Sequence, residues 1–375
     1  MHSRYIPFFD FSYINQLLEA EINEAFHDFY RSNWYILGKK LSSFEEQYAA
    51  FSGTQHCVGV ANGLDALEIA LKVLNIGPGD EVIVPSNTFI ATWLAISHVG
   101  ATIVPVEPLL TTSNIDPYKI EAAITAKTKA IMPVHLYGQA CQMDEIMAIA
   151  YKHKLLVVED NAQAHGATFK GKATGSFGHI NATSFYPTKN FGALGDGGAL
   201  TTDNADLARQ AALMRNYGSE QKYHNEIVGY NSRLDELQAA FLSVKLSYLK
   251  RFTSERQEVA KQYDLLLANV NDIKLTHTAA GASHSYHLYV IHIDKREELQ
   301  LFLKENGIET AIHYPVPPHL QNAYQHLGFK VGSFPIAEQL AKTCLSLPMY
   351  PGITTSDVGY VTDTIKRFYA KGAYN

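Results

Sequence analysis

Lys189 stands in the stretch SFYPTKNFGALGDGGALTTD (Ser184–Asp203), between a strand-forming segment and a turn with four glycines. A lysine there is either a solvated charge or, once drawn into a cleft and desolvated, a nucleophile and proton carrier. Three other polar features fall where an apolar strand ends or a helix begins. Asn62-Gly63 separates HCVGVA from LDALEIALKVL, Asp160 ends LLVVED with Gln163 three residues on, and Ser184 precedes the lysine. Taken singly, an aspartate ending a strand is a turn or cap residue, and Asn-Gly is a simple turn. Their joint order along the chain points to one ligand.

Pyridoxal phosphate (PLP) would explain all four features. A lysine amine forms a Schiff base with its aldehyde. A carboxylate keeps the pyridine nitrogen protonated, so that the ring accepts electrons during amino transfer; Asp160 suits that place. A phosphate dianion takes the free N–H groups at a helix N-terminus, which the turn Asn62–Asp65 offers, and Ser184 adds a hydroxyl. Gly192, Gly195, Gly197 and Gly198 let the chain reverse sharply behind Lys189, in left-handed backbone where needed. The run matches neither G-x-x-x-x-G-K-[ST] nor G-x-G-x-x-G, so a nucleotide loop of either kind is not supported.

The elements that must position these groups alternate. Strands are predicted at His56–Ala61, Glu81–Pro85, Ala101–Val106, Lys129–His135, Leu155–Asp160 and Ala182–Pro187. Helices are predicted at Leu64–Leu74, after Pro117 and over Met143–Lys154. Near-continuous apolar strands separated by helices read as α/β with a mostly parallel sheet, whose ligands collect at the carboxyl ends of strands. A long amphipathic helix is predicted from about Asn231, with Leu234, Leu237, Phe241, Val244 and Tyr248 on one stripe and a cap at Asn231 or Ser232. Beyond it the pattern changes to strand (Tyr286–Ile293), helix (Lys295–Gly307) and strand (Ile308–Tyr314). The expected division is a large domain over 1–250 and a smaller α+β domain over 251–375.

Bulk properties narrow the partners. A net charge of −6 gives no reason to expect nucleic acid or an anionic membrane. Residues 82–106 carry no Asp, Glu, Lys or Arg, yet Pro85, Asn87, His98 and Gly100 break the run into strand, helix and strand rather than a membrane span. Cys57, Cys141 and Cys344 are odd in number and far apart, which fits a reducing, cytoplasmic setting. The first residues show no secretory signal pattern.

Several long motifs resemble the PLP-dependent nucleotide-sugar aminotransferases of the DegT/StrS type. They are VVEDNAQAHGATFKGKATGSFGHINATSFYPTKNFGALGDGGALTTD, ANGLDALEIAL, VPSNTFIATWLAI and GYNSRLDELQAAFL, and the likeness runs from IPFFDF to LPMYPGIT. The resemblance implies the aspartate-aminotransferase-like fold (fold type I) and a homodimer with active sites at its interface. It makes Lys189 the Schiff-base lysine and Asp160 the pyridine partner. Gln163 would contact the cofactor's phenolic oxygen and Phe89 would stack on its ring. Gly63, Leu64 and Ser184 would hold the phosphate, with Asn231 reaching it from the neighbouring subunit. Many relatives have Gly-Thr where this chain has Gly63-Leu64, which removes one hydroxyl. Related sugar dehydratases carry histidine at the lysine's place, so the lysine favours amino transfer. The opening segment and the C-terminal motifs look most like enzymes acting at carbon three of a dTDP-6-deoxy-3-ketohexose, with glutamate as donor and the galacto product preferred. Aminotransferases acting at carbon four are the runner-up. His165, Tyr186, Tyr223, His313 and Tyr314 are candidates to line the sugar pocket.

Two readings from other classes compete. Six histidines between His277 and His319 raise a metal site, but no zinc-type spacing is evident, so none is expected. A non-catalytic PLP-fold regulator or binding module has no need of Lys189 or Asp160, and this chain keeps both.

Overall fold

The computed structural model describes residues 4–372. At its centre lie seven strands: β1 (His56–Val60), β2 (Glu81–Pro85), β3 (Thr102–Val106), β4 (Thr128–Ile131), β5 (Leu156–Asp160), β6 (Ile180–Ser184) and β7 (Gly198–Thr202). Their spatial order is β1-β7-β6-β5-β4-β2-β3. The pairs from β3 across to β6 are parallel, and β7 alone runs against both its neighbours. Val82, Val84, Val157 and Val158 are all fully buried. Their strands therefore lack polar alternation, as expected of a sheet covered on both faces.

The covering helices place the strand ends. α1 (Ser12–Ser32) and α2 (Lys39–Ser52) precede the sheet; α3 (Gly63–Val73) and α4 (Ile90–His98) follow β1 and β2. Leu67, Ala70 and Trp93 from α3 and α4 pack with Val60, Val84, Val158 and Ile180 into one core. Because parallel strands all point one way, the loops after β1, β2, β4, β5 and β6 gather at one edge. α5 (Met143–His153) and α6 (Ala205–Met214) cover the flanks.

A second apolar cluster lies in the C-terminal part. It joins Ile6 to Val259, Tyr263, Ile291, Leu299, Leu345 and Val361. Its sheet has three antiparallel strands, β8 (Lys274–Leu275), β9 (Tyr289–His292) and β10 (Cys344–Leu347).

Three sequence expectations are corrected. The helix expected from Asn231 begins only at Glu236: α7 (Glu236–Leu246) is followed by α8 (Leu249–Leu267), and Asn231 forms an isolated bridge to Asn216. Tertiary contacts hold residues 231–235 out of the helix. Ser232 Oγ accepts the Ala61 N–H at 3.2 Å, and Leu234 is buried against Leu41 and Phe185. The capping expectation therefore fails; of the expected stripe Leu234 and Phe241 are buried, and Ala239 and Leu242 are buried beside them. Glu236 instead turns back on α2, accepting N–H bonds from Gly38 (2.7 Å), Lys40 (3.0 Å) and Leu41 (2.9 Å).

The strand expected at Ile308–Tyr314 is reduced to two bridges, Ile6 with Ile308 and Ala311 with Ser346. After Pro117 only a single α-turn (Pro117–Ile120) and a 3₁₀ turn (Glu121–Ala123) form. The seven residues Ile308–Tyr314 are too few to fix a strand by period alone.

Candidate active site

Asp160 ends β5 and is 6% exposed. Its Oδ2 accepts from Thr92 Oγ1 at 2.8 Å and its Oδ1 from the Ala162 N–H at 3.1 Å. Burial raises its pKa, while those two bonds and the charge of Lys189 pull it back. Gln163 sits one turn on. Its Oε1 accepts the Tyr137 N–H at 2.7 Å and its Nε2 donates to Tyr314 Oη at 3.0 Å. The Tyr314 ring lies 5.4 Å from that of Phe89, which closes the loop between β2 and α4 and stays half exposed. Asp160, Gln163, Phe89 and Tyr314 thus share one wall.

Lys189 faces the same space. Its N–H donates to the Tyr186 carbonyl at 2.9 Å, one tight turn beyond β6. Burial lowers its pKa to about 8, against which the Asp160 carboxylate pulls upward. The amine and the carboxylate each register the other's charge.

The third part is the turn into α3. Asn62 Oδ1 accepts the Asp65 N–H at 2.9 Å and so caps the helix. The first N–H groups, at Gly63 and Leu64, have no intrahelical acceptor. A Cβ on Gly63 would lie 2.6 Å from Ser184 Cβ, so glycine lets the serine hydroxyl reach the helix start. Gly198 matters for the same kind of reason: a Cβ there would meet the Asn62 carbonyl at 2.4 Å. None of Gly192, Gly195, Gly197 and Gly198 adopts left-handed backbone. The expectation of positive φ is corrected; the glycines provide room, not handedness.

These groups fit PLP. A partly desolvated amine, a buried carboxylate fixed by two donors, and a helix N-terminus cleared by glycine are the donor set such a cofactor requires. The remaining predicted residues are more scattered. His313 Nδ1 lies 2.9 Å from Ser346 Oγ, and its ring stacks on Phe8. Tyr186 is 53% and Tyr223 86% exposed, the latter on the hairpin of residues 219–225. Asn231 is exposed too, and its side chain makes no hydrogen bond among the described residues. His165 departs from expectation. It is 1% exposed, paired through Nε2 with Thr183 at 2.8 Å and packed against Phe185 and Phe191. A ring so enclosed does not line an open pocket.

Sequence reasoning missed Thr92, Tyr137 and the buried pair Glu159–His135. His135 Nδ1 accepts the Cys141 N–H at 3.0 Å, so that nitrogen carries no proton and the Nε2–H donates to Glu159 at 2.7 Å. Glu159 also accepts from the Gly175 and Gly178 N–H groups, both at 2.8 Å. Burial opposes its ionisation, but these partners hold its pKa below the usual carboxylate value. The signal available was strand alternation, which sends Glu159 and Asp160 to opposite faces. Among the described residues no cluster of metal-ligating side chains occurs, and no helix is long and apolar enough to cross a membrane.

Comparison with known proteins gives the same picture. The DegT/DnrJ/EryC1/StrS aminotransferase family matches residues 16–366. A dTDP-3-amino-3,6-dideoxy-alpha-D-galactopyranose transaminase of Aneurinibacillus thermoaerophilus is 50% identical over 97% of this chain and 99% of its own. The crystal structure of S. venezuelae DesV in complex with a ketimine intermediate superposes with a TM-score of 0.95, at 45% identity over 97% of this chain and 98% of that one. The PLP form of a putative sugar aminotransferase, Spr1654 from Streptococcus pneumoniae, gives 0.88 at 30% identity, covering 94% and 96%. By sequence, fold and site, the chain belongs to the DegT/DnrJ/EryC1/StrS aminotransferase family and is a fold type I enzyme that works with PLP.

Proposed function

We propose that this aminotransferase moves an amino group from glutamate to carbon three of a dTDP-linked 3-keto-6-deoxyhexose, giving a dTDP-3-amino-3,6-dideoxyhexose of galacto configuration. The observation that carries amino transfer is that the Lys189 amine and the Asp160 carboxylate, at the ends of neighbouring strands, are close enough for each to feel the other's charge. A relative named for that product, half identical over nearly the whole chain, supports the choice of sugar.

When bound, PLP supplies an aldehyde that condenses with amines and a ring that takes up electron density from a carbon losing its proton. Lys189 is the anchoring amine. Its Nζ would also take the proton of the donor's α-carbon and return one, as general base and then acid. Asp160, oriented by Thr92 and Ala162, holds a proton on the ring nitrogen. Gln163 would bind the phenolic oxygen and Phe89 would cover the ring face. Gly63, Leu64 and Ser184 hold the phosphate, and the Leu64 side chain leaves the backbone N–H groups to do most of that work. His313, Tyr314, Tyr186 and Tyr223 meet the sugar, where flat rings pack on C–H faces and their polar tips bind hydroxyls.

Asn231 and Tyr223 act across a homodimer interface, a reading supported by their exposure in the single chain. Three unpaired, buried cysteines support a cytoplasmic setting.

The test is to incubate the PLP-loaded enzyme with glutamate and, separately, with 3-keto and 4-keto dTDP-6-deoxyhexoses. Amination of the 3-keto sugar alone is expected, and NMR of the product reads the C-4 configuration. Turnover of only the 4-keto sugar would transfer the assignment to carbon four.

A further inference from the structure

A small cavity of about 20 Å³ opens beside Lys189. Its walls include two more cations, Lys245 and Arg256, and the side chains of Phe191 and Phe252. Lys245 is 8% exposed and Arg256 only 1%. Arg256 Nη1 donates to the carbonyl oxygens of Met349 (2.9 Å) and Tyr286 (3.3 Å), while its buried Nε has no partner. Lys245 Nζ has one acceptor, the Gly192 carbonyl at 2.8 Å, which belongs to the cavity wall.

One carboxylate, Glu255, offsets part of the Arg256 charge without bonding to it, and its Oε2 is buried without a hydrogen-bond partner. Among the described residues neither Lys245 nor Arg256 forms an ion pair. Glu255, the acid whose charge Arg256 registers, is turned to Arg251 Nε (2.9 Å) and Tyr13 Oη (3.2 Å). Buried cations without a counter-ion are costly, and an arginine cannot relieve the cost by giving up its proton. Burial alone drives Lys245 down to about 8, so at neutral pH most molecules hold both charges. The space admits one water-sized body.

We infer that this cavity is a binding site for one small monovalent anion, of the size and charge of chloride or bromide, held by Lys245 and Arg256 beside Lys189.

Bromide is the probe. Crystals of the PLP-loaded enzyme soaked in sodium bromide and measured at the bromine edge should show an anomalous peak in the cavity, at hydrogen-bonding distance from Lys245 and Arg256. In solution the holoenzyme's thermal midpoint should rise saturably with bromide when ionic strength is kept constant with gluconate. The rise should vanish in Lys245→Met. Should that variant fail to fold, the wild-type crystal still decides. A water in the cavity without anomalous signal, together with a midpoint indifferent to halide, overturns the inference.

Discussion

Thr92 Oγ1 donates to Asp160 Oδ2 at 2.8 Å, tying the first turn of α4 to the end of β5. Thr92 is fully buried, and its hydroxyl also meets Thr88 Oγ1 at 2.9 Å. The bond fixes the rotamer of the carboxylate that the proposed chemistry needs ionised. Thr92→Val keeps the shape and removes the donor. A hydrogen bond to a charged group is worth about 1.5–3 kcal/mol. Loss of it should weaken PLP binding by roughly tenfold or more, read by spectrophotometric titration of the apo-protein, with Thr92→Ser restoring most of the affinity. An unchanged Kd would remove Thr92 from the cofactor site.

Lys189 sets a pH window. With its pKa near 8, half of the amines are free at about that pH. Uptake of PLP by the apo-protein, followed by its absorbance, should quicken from pH 7 to 9 and then level off. The same depression has a stability consequence of known sign. A folded-state pKa below the ordinary 10.5 means that the unfolded chain binds more protons between about 8 and 10.5. The penalty is complete below pH 8 and fades as pH rises toward 10.5. Apo Lys189→Met should therefore outlast apo wild type in urea at pH 7, and the two should converge near pH 10. A constant gap across that range would show that the lysine is not desolvated.

The placing of Lys189 near Asp160 and of Gly63 against Ser184 was legible because the apolar runs mark where strands end. β2 falls at Glu81–Pro85 as read, whereas β6 ends at Ser184, three residues before the expected bound. Thr92 was invisible, being an ordinary polar residue inside an apolar helix whose meaning comes only from the strand opposite. Residues 231–235 were misread for a different reason. Their helical pattern is real, but Ser232 and Leu234 are claimed by partners more than 40 residues away, and tertiary contacts override local preference. The glycine run revealed a tight place without revealing its cause. Close approach of Gly198 to Asn62 depends on β1 and β7 being neighbours, which no local pattern states.

Glu159 belongs to the scaffold under the site. Glu159→Gln replaces an acceptor that faces His135 and the N–H groups of Gly175 and Gly178 with an amide that must turn an NH₂ toward some of them. Leaving a buried donor unsatisfied in this way costs about 1–3 kcal/mol. The Glu159 pKa is lowered in the fold, so its contribution is present above the unfolded carboxylate range and is lost as pH falls through the folded value. The difference in stability between wild type and variant, measured by urea unfolding, should be large at pH 7 and shrink below about pH 4. Equal stability at pH 7 would refute the account.

Gly198 and Gly195 give a paired test of crowding. A Cβ at Gly198 would press on the Asn62 backbone at 2.4 Å, which cannot move without disturbing the helix start. At Gly195 the nearest atom is the Gln238 amide nitrogen at 3.1 Å, the far end of a flexible side chain. Gly198→Ala should cost at least about 1–3 kcal/mol and weaken PLP binding. Gly195→Ala should stay within about 0.5 kcal/mol of wild type. The reverse ranking in urea melts would show that the turn into α3 does not depend on β7.

Asn231 no longer has a cap to explain it, since α7 starts five residues later and its own side chain is exposed. Asn231→Ala should therefore leave urea stability within about 0.5 kcal/mol of wild type while reducing PLP retention. If the residue serves the partner's site, two defective variants can repair each other. In a heterodimer of Lys189→Met and Asn231→Ala subunits, one site receives the intact lysine and the intact asparagine, and the other receives both lesions. Co-expression gives heterodimers as about half of all dimers, so roughly a quarter of wild-type activity should return. A site built within one chain predicts instead the simple average of the two variants, because every site then keeps its own lesion. The heterodimer, isolated with two different affinity tags, separates the outcomes directly.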